Sequence, residues 1–344
     1  MRKYIVPFLV LVFIGIAFLQ GFFFWGSPPP STDQNYITIE IPQGATFREV
    51  TDLLFEEALI SNRFSFRLLG KLTRNETRVK PGEYRLHRAM RPKALLGVLV
   101  RGEILHYQVV IPEGMSSREI AQMLESANLV DAEIFQELVH DQDVINTLGF
   151  EGESLEGYLF PETYRFSKQS SPRQIVTQIT KQFNTIYDAS FQQRAEALGM
   201  TQREVVTLAS IIEKETAVAE ERPIVSAVFH NRLKKNMRLQ SDPTVIFSLK
   251  HFDGNLTRNH LLNDSPYNTY KVVGLPPGPI ANPGRDAIHA ALHPAAVDYL
   301  YFVSKNNGAH YFSKTLKEHN AAVRKFQLGE TDLSVCPNCA QENG

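Results

Sequence analysis

The chain has 344 residues, and its 36 Lys and Arg against 37 Asp and Glu leave a net charge of −1. That balance supplies no bulk attraction for nucleic acid or for an acidic surface. Only two cysteines occur, Cys336 and Cys339, both close to the C-terminus. The rest is cysteine-free, which excludes a disulfide-stapled scaffold and suits an oxidising compartment.

Between Lys3 and Gly26 there is no charged residue, and Tyr4 to Trp25 is almost wholly aliphatic or aromatic. About 20 apolar residues at ~1.5 Å each cross a ~30 Å hydrocarbon core. Arg2 and Lys3 precede the run and no basic residue follows closely, so a cytoplasmic N-terminus is expected. A cleaved signal peptide has a shorter apolar stretch ending in small residues. Here Phe22, Phe23, Phe24 and Trp25 close the run, so residues 1–26 read as a single transmembrane anchor. Residues 27–35, rich in Pro and Ser, read as a stiff polar linker.

The next region carries an internal repeat. Ile41-Pro-Gln-Gly-Ala-Thr-Phe-Arg-Glu-Val returns 70 residues later as Ile111-Pro-Glu-Gly-Met-Ser-Ser-Arg-Glu-Ile. Each copy predicts a strand of alternating apolar residues, a Pro-x-Gly turn, and a helix. Thr46 or Ser116 is the expected N-cap, with Glu49 or Glu119 three residues on. Lys80 to Leu86 reads as a turn entering a strand, and Pro92 to Val100 as a short helix. Residues 36–105 thus form a βααβ module similar in element order to the LysM fold, a binder of N-acetylated glycans. Residues 106–150 read as a repeat-related strand–helix connector into a mixed α/β domain that extends to 328. The overall class is α+β.

From about residue 150 the texture changes. Arg173 to Leu198 reads as one helix closed by Gly199. Thr201-Gln-Arg-Glu204 is a capping box opening a helix from Val205 to about Lys234, broken near Pro223. Beyond Asp242 short apolar strands are expected to alternate with Pro/Gly loops, and Tyr299 to Val303 reads as a buried strand. Val335-Cys-Pro-Asn-Cys339 is a lone Cys-x-x-Cys. It lacks the second pair of a zinc ribbon and the fold of a redox motif, so 329–344 reads as a flexible tail.

The chemistry is sought on the helix after Thr201. At ~100° per residue, Val205, Leu208, Ala209 and Ile212 make an apolar stripe. Glu215 and Glu213 project onto its two edges, while Lys214 points away. A glutamate held against apolar side chains has its neutral form favoured and can donate a proton near neutral pH, as glycosidic cleavage requires. Spacing by itself fits a solvated Glu-Lys-Glu run at a helix end better. The loops around this helix tip the reading toward a sugar groove, being rich in Pro, Gly, Asn, Tyr and hydroxyls. They are Glu156 to Tyr164, Arg238 to Thr244, Ser265 to Tyr270, Gly274 to Gly284 and Glu318-His-Asn320.

Five of these segments, in this order, resemble the YceG-like endolytic murein transglycosylases (the MltG family). They are Glu156 to Tyr164, Ala209-Ser-Ile-Ile-Glu-Lys-Glu-Thr216, Arg238 to Thr244, Tyr267-Asn-Thr-Tyr270 and Gly274 to Gly284. The resemblance covers residues 1–328. It implies a lyase that cuts the β-1,4 bond between N-acetylmuramic acid and N-acetylglucosamine inside peptidoglycan strands, leaving 1,6-anhydro-muramyl ends. It places one catalytic glutamate in Glu-Lys-Glu-Thr, assigned here to Glu215 with Glu213 as the alternative. The acid would protonate the glycosidic oxygen, then take the proton of the muramyl C6 hydroxyl as that oxygen closes on C1. No metal or other cofactor is implied. Tyr158, Glu162, Gln240, Asp242, Tyr267, Asn268, Tyr270 and Asn282 are candidates for the groove, with His310 beside them. A peptidoglycan synthase is the expected protein partner. The competing readings are a non-catalytic glycan-binding scaffold for such synthases and a cytoplasmic pyridoxal phosphate lyase. Nothing singles out the Schiff-base lysine that the latter needs.

Overall fold

The computed structural model of the chain describes residues 10–16, 31–249 and 251–329. Most of the expected anchor, the start of the linker and the tail with Cys336 and Cys339 lie outside them. Residues 10–16 are helical (α1). Among the described residues no helix is long and apolar enough to cross a membrane. The chain divides into two units, one running to Gln108 and including Arg165–Ser170, the other made of Val109–Tyr164 and Ser171 onward. Nothing in the sequence flagged the return of 165–170 to the first unit.

In the first unit the order is β1 (Tyr36–Ile41), α2 (Phe47–Glu56), α3 (Arg63–Leu72), β2 (Gly82–His87) and α4 (Pro92–Arg101). β1 and β2 are antiparallel, from Tyr36 opposite His87 to Ile41 opposite Gly82. Period-two alternation turns Ile39 and Ile41 inward, where they meet Val50, Leu54, Phe66, Tyr84, Leu86, Leu95 and Leu99. Full burial of each such side chain is worth about 1.5–3 kcal/mol. Tyr84 enters this core because its hydroxyl donates to the carbonyls of Lys80 (2.7 Å) and Leu99 (3.2 Å). The returning segment is held by Gln169 Nε2 donating to Ile41 O at 2.9 Å and by Lys168 Nζ on Glu83 Oε1 at 2.9 Å.

The second unit is mainly helical. Its first half holds α5 (Ser117–Ser126), α6 (Ala132–His140), α7 (Gln142–Leu148), α8 (Pro172–Ile186), α9 (Ala189–Leu198) and α10 (Gln202–Glu215). α11 (Arg222–Lys234), α12 (Asp242–Ser248), α13 (Arg258–Leu261), α14 (Arg285–Leu292) and α15 (Leu316–Gln327) follow. β3 (Tyr107–Val110) pairs with β4 (Thr163–Phe166), and the chain changes unit within each of these strands. β5 (Tyr301–Ser304) pairs antiparallel with β6 (His310–Ser313).

Four expectations are corrected. The helix expected over 173–198 is two helices, because Asp188 accepts from the Ser190 and Phe191 N–H groups and so caps a new start. The long helix after Thr201 stops at Glu215, where Thr216 turns extended, and α11 starts after a short 3-10 turn, Ala219–Glu221. The break thus falls near Pro223 as expected, but Pro223 itself sits in the first turn of α11, where its missing N–H costs nothing. Between Asp242 and Leu292 the regular elements are helices and not strands. The strand near Tyr299 begins at Tyr301 and is half-buried, since its sheet has only two strands.

Candidate active site

α10 is the spine of the site. Thr201 and Glu204 form its capping box. Every residue from Val205 to Ile212 is buried, so the helix is enclosed on all sides and not along one stripe. α14, α11 and α12 pack on it. Two hydroxyls lie within this apolar run: Thr207 Oγ1 donates back to Arg203 O, whereas Ser210 Oγ accepts the Ile280 N–H at 3.0 Å, pinning the 274–284 loop. Arg203, in the first turn of the helix, donates to Pro277 O and Glu151 O.

The last turn delivers three charges to three places. Lys214 Nζ donates to Gly114 O at 3.1 Å. Glu213 Oε2 accepts the Gly284 N–H at 2.9 Å, and its Oε1 lies 3.6 Å from Arg222 Nη2. Burial pushes its pKa up, partly opposed by those two partners. Glu213 is therefore a loop anchor. A side chain at Gly284 would collide with Glu113, because a Cβ there would sit 1.9 Å from Glu113 Oε1.

Glu215 differs. Burial raises its pKa to about 7, with the nearby Asp242 charge adding to the shift; the Ser241 hydroxyl bond and the Arg232 charge oppose it. Ser241 Oγ donates to Glu215 Oε1 at 2.5 Å. Ser241 is the N-cap residue of α12 yet makes no side-chain cap bond. Its hydroxyl serves Glu215 instead of the helix, a departure from what an N-cap serine usually does.

The hydroxyl is held in turn. Ser241 N–H donates to Thr269 Oγ1 at 3.0 Å, Thr269 and Thr244 hydroxyls are 2.8 Å apart, and Thr244 Oγ1 donates to Ser241 O at 2.6 Å. All three residues are buried. Just ahead, Gln240 has a left-handed φ of +50°, uncommon outside glycine, and its N–H donates to Thr269 O. Arg232, beneath, donates to Leu300 O and Leu239 O, so its buried charge is fixed near Glu215.

The structure sorts the remaining expected residues into two groups. Asp242 and Gln240 are exposed on either side of Ser241. Tyr270 OH donates to Asp242 Oδ1 at 2.6 Å, and both burial and that bond push the phenol pKa up. Tyr267 is half-buried with its ring centroid 5.0 Å from that of Phe247. Gln240, Asp242 and Tyr270 thus lie beside Ser241, whereas the Tyr267 hydroxyl lies close to Gly278. Asn268, by contrast, is buried and ties its own loop together, donating to Leu261 O and Asn263 O and accepting from Tyr270 N–H.

Tyr158 is a core residue and not a groove residue. Its ring stacks 4.4 Å from Phe150 and meets Phe183 edge-on at 5.1 Å. Asn282 is also fully buried. Its Oδ1 accepts from Gly157 and Leu159 N–H, and its Nδ2 donates to Met115 O and Glu156 Oε1. Glu162 is exposed and its carboxylate accepts the neighbouring Thr163 N–H. His310 Nδ1 lies 2.6 Å from Glu221 Oε2, a pair at the start of α11. None of these bonds reaches Glu215.

Ser241, Thr244 and Thr269 were not singled out from sequence, although each lies within a segment noted for its loop chemistry. Glu156 was likewise passed over. It is buried, accepts from Ser117 N–H and Oγ and from Asn282, and burial lifts its pKa to about 7 against those bonds. A carboxylate inside a Gly-Tyr-Leu-Phe-Pro run was the available signal.

A helix-borne glutamate with a raised pKa, bound by a serine hydroxyl that is flanked by exposed Gln240 and Asp242, is an arrangement chemically able to give and take a proton near neutral pH. The YceG-like family model matches residues 39–325. The chain belongs to the YceG-like family. It is 34% identical over 330 residues to the endolytic murein transglycosylase of Bacillus subtilis, covering 91% of each chain. It is 28% identical to the endolytic murein transglycosylase of Streptococcus pneumoniae serotype 2, covering 94% of this chain and 65% of that longer one. Among solved structures, a YceG-like protein of Listeria monocytogenes matches with a TM-score of 0.59 and 34% identity, over 83% of this chain and 98% of that one.

Proposed function

We propose that this chain is an endolytic murein transglycosylase, a lyase that cuts peptidoglycan strands, with Glu215 as its acid and base. The observation that carries the reading is the environment of Glu215: a desolvated carboxyl of pKa about 7 with one oxygen held by Ser241. Near neutral pH such a group is populated in both forms, so it can give a proton to the glycosidic oxygen and then remove one. The proton lost to the leaving oxygen is replaced by that of the muramyl C6 hydroxyl as it closes on C1, giving the 1,6-anhydro end. The muramyl N-acetyl group can stabilise C1 between the two steps, as in substrate-assisted glycosidases. Gln240, Asp242, Tyr267 and Tyr270 would line the sugar groove.

In this reading the chain is held at the membrane by residues 4–25, with its N-terminus cytoplasmic and the two units outside. The charge-free run supports it, as do the exposed apolar side chains of the described part of α1, among them Leu11 and Phe13. The βααβ order of the first unit fits a LysM-like glycan contact. A strand cutter so placed would act on nascent strands beside the synthase that makes them.

The test is mass spectrometry of uncross-linked nascent strands digested by the purified full chain. The wild type should release anhydro-muramyl ends, and Glu215→Gln should lose at least about 10³-fold in rate. Glu213→Gln should retain cleavage if it stays folded. Binding to strands without anhydro ends from the wild type would sink the enzyme reading and favour a scaffold.

A further inference from the structure

The outward face of α3 has no role in folding or in the site. It carries an apolar row at i, i+4 and i+8: Phe64, Leu68 and Leu72, within about 80° of arc. Phe64 is 75% and Leu72 62% exposed, while the opposite face of the helix buries Phe66 and Leu69. Large apolar groups this exposed in a helical row are uncommon on a soluble surface and mark a contact. Beside the row the charge is one-sided. From Arg63 to Lys80 there are six basic residues and a single acid, Glu76. Asp52 pairs with Arg63 (2.9 Å) and Arg67 (3.1 Å). Lys71, Arg74 and Arg78, exposed and unmatched by any ion pair among the described residues, are left at the C-terminal end of the row.

We infer that this face of α3 docks on an anionic lipid surface, with Phe64, Leu68 and Leu72 at the headgroup boundary and the cations among the phosphates. An apolar row flanked by Lys and Arg is the composition of an interfacial helix. The distance also fits. Trp25, where the apolar run ends, is eleven residues from Tyr36, where the first unit begins, so the connection spans at most about 40 Å. The first unit cannot leave the neighbourhood of the bilayer, and weak docking becomes effective at such local concentration. This tether rests on the anchor proposed above; the face and its charge do not. Docked, the first unit is pinned at the bilayer rather than swinging on its linker.

The experiment uses the full chain with its single tryptophan moved, Trp25→Phe with Phe64→Trp, so that one indole reports from α3. It is added to vesicles of phosphatidylcholine, or of phosphatidylcholine with phosphatidylglycerol, with brominated acyl chains as quenchers. Docking predicts a blue shift and quenching on the anionic vesicles that fall with added salt. Each of Lys71→Gln and Arg74→Gln should weaken the docked state about fivefold. An indole on vesicle-bound chain that stays unquenched and water-like overturns the inference. So does a blue shift produced equally by glycan strands without lipid, or by raised protein concentration in detergent. A chain left behind when neutral vesicles float refutes the anchor separately, and the quenching on anionic vesicles still decides the docking.

Discussion

The two strand–turn–helix repeats, residues 37–60 and 107–130, share their local structure almost bond for bond. Gly44 and Gly114 take φ of +82° and +77° at the turn, and Thr46 and Ser116 close identical capping boxes with Glu49 and Glu119. Leu59 and Leu129 N–H groups return to the carbonyls of Leu54 and Leu124. They part most clearly at the first residue of the helix. Phe47 stacks on Phe66 at 5.6 Å over Gly70, where any Cβ would meet the Phe47 ring at 2.4 Å. Its counterpart Ser117 instead binds the buried carboxyl of Glu156. One motif therefore closes an apolar core in the first unit and anchors a buried polar network in the second. Neighbours within a few residues decide the helix, and the residue at its mouth decides what it is joined to.

That contrast can be attacked from its strongest point. Asn282→Ala should cost about 3–5 kcal/mol in urea unfolding, since it strips partners from Glu156, Met115, Gly157 and Leu159 in a buried network. The first repeat has no equivalent residue, and its amides should keep their exchange protection in that variant.

The second effect is one of pH. Glu156 holds its proton up to about pH 7 when folded, against 4.5 unfolded, so the folded state binds the proton more tightly. Its contribution is then fully favourable below pH 4.5 and is lost as pH rises to 7, by about 3 kcal/mol. Glu156→Gln should remove that contribution and so roughly halve the total slope, the rest belonging to Glu215 with its similar shift. An unchanged slope would show that the buried network does not distinguish the repeats.

Cap removal should then act alike in both. Thr46→Ala and Ser116→Ala are each expected to cost about 1 kcal/mol, seen as roughly fivefold faster hydrogen exchange in α2 or α5. Unequal losses would break the claim that the two starts are the same. The smallest effect is at the helix exits, where Ala58 and Asn128 share φ of +54° and +53°. Asparagine tolerates that region and alanine does not, so Ala58→Gly should stabilise by about 0.5–1 kcal/mol, and Asn128→Gly by less.

The same division runs through the site. The capping box of α10, its apolar body and the Glu-Lys-Glu end were legible, because they depend on partners three or four residues away. Groove candidates were drawn from composition, and composition does not distinguish a rim asparagine from a buried one. Hence Asn282 and Asn268 proved to be loop fasteners, and Tyr158 a core ring, while Gln240, Asp242 and Tyr270 lie at the surface beside Ser241.

What the sequence by itself determined is the repeat, the caps, the helix that carries two glutamates at its end, and the family. Only the tertiary structure separated the surroundings of the two glutamates. Glu213 finds the Gly284 N–H, 71 residues on, and Arg222; Glu215 finds one serine hydroxyl, 26 residues on. Both are drawn out of water, but one is matched by a peptide dipole and a cation, and the other is left able to change its charge. Desolvation and partner choice are set by parts of the chain far apart in sequence, and no spacing along α10 encodes them.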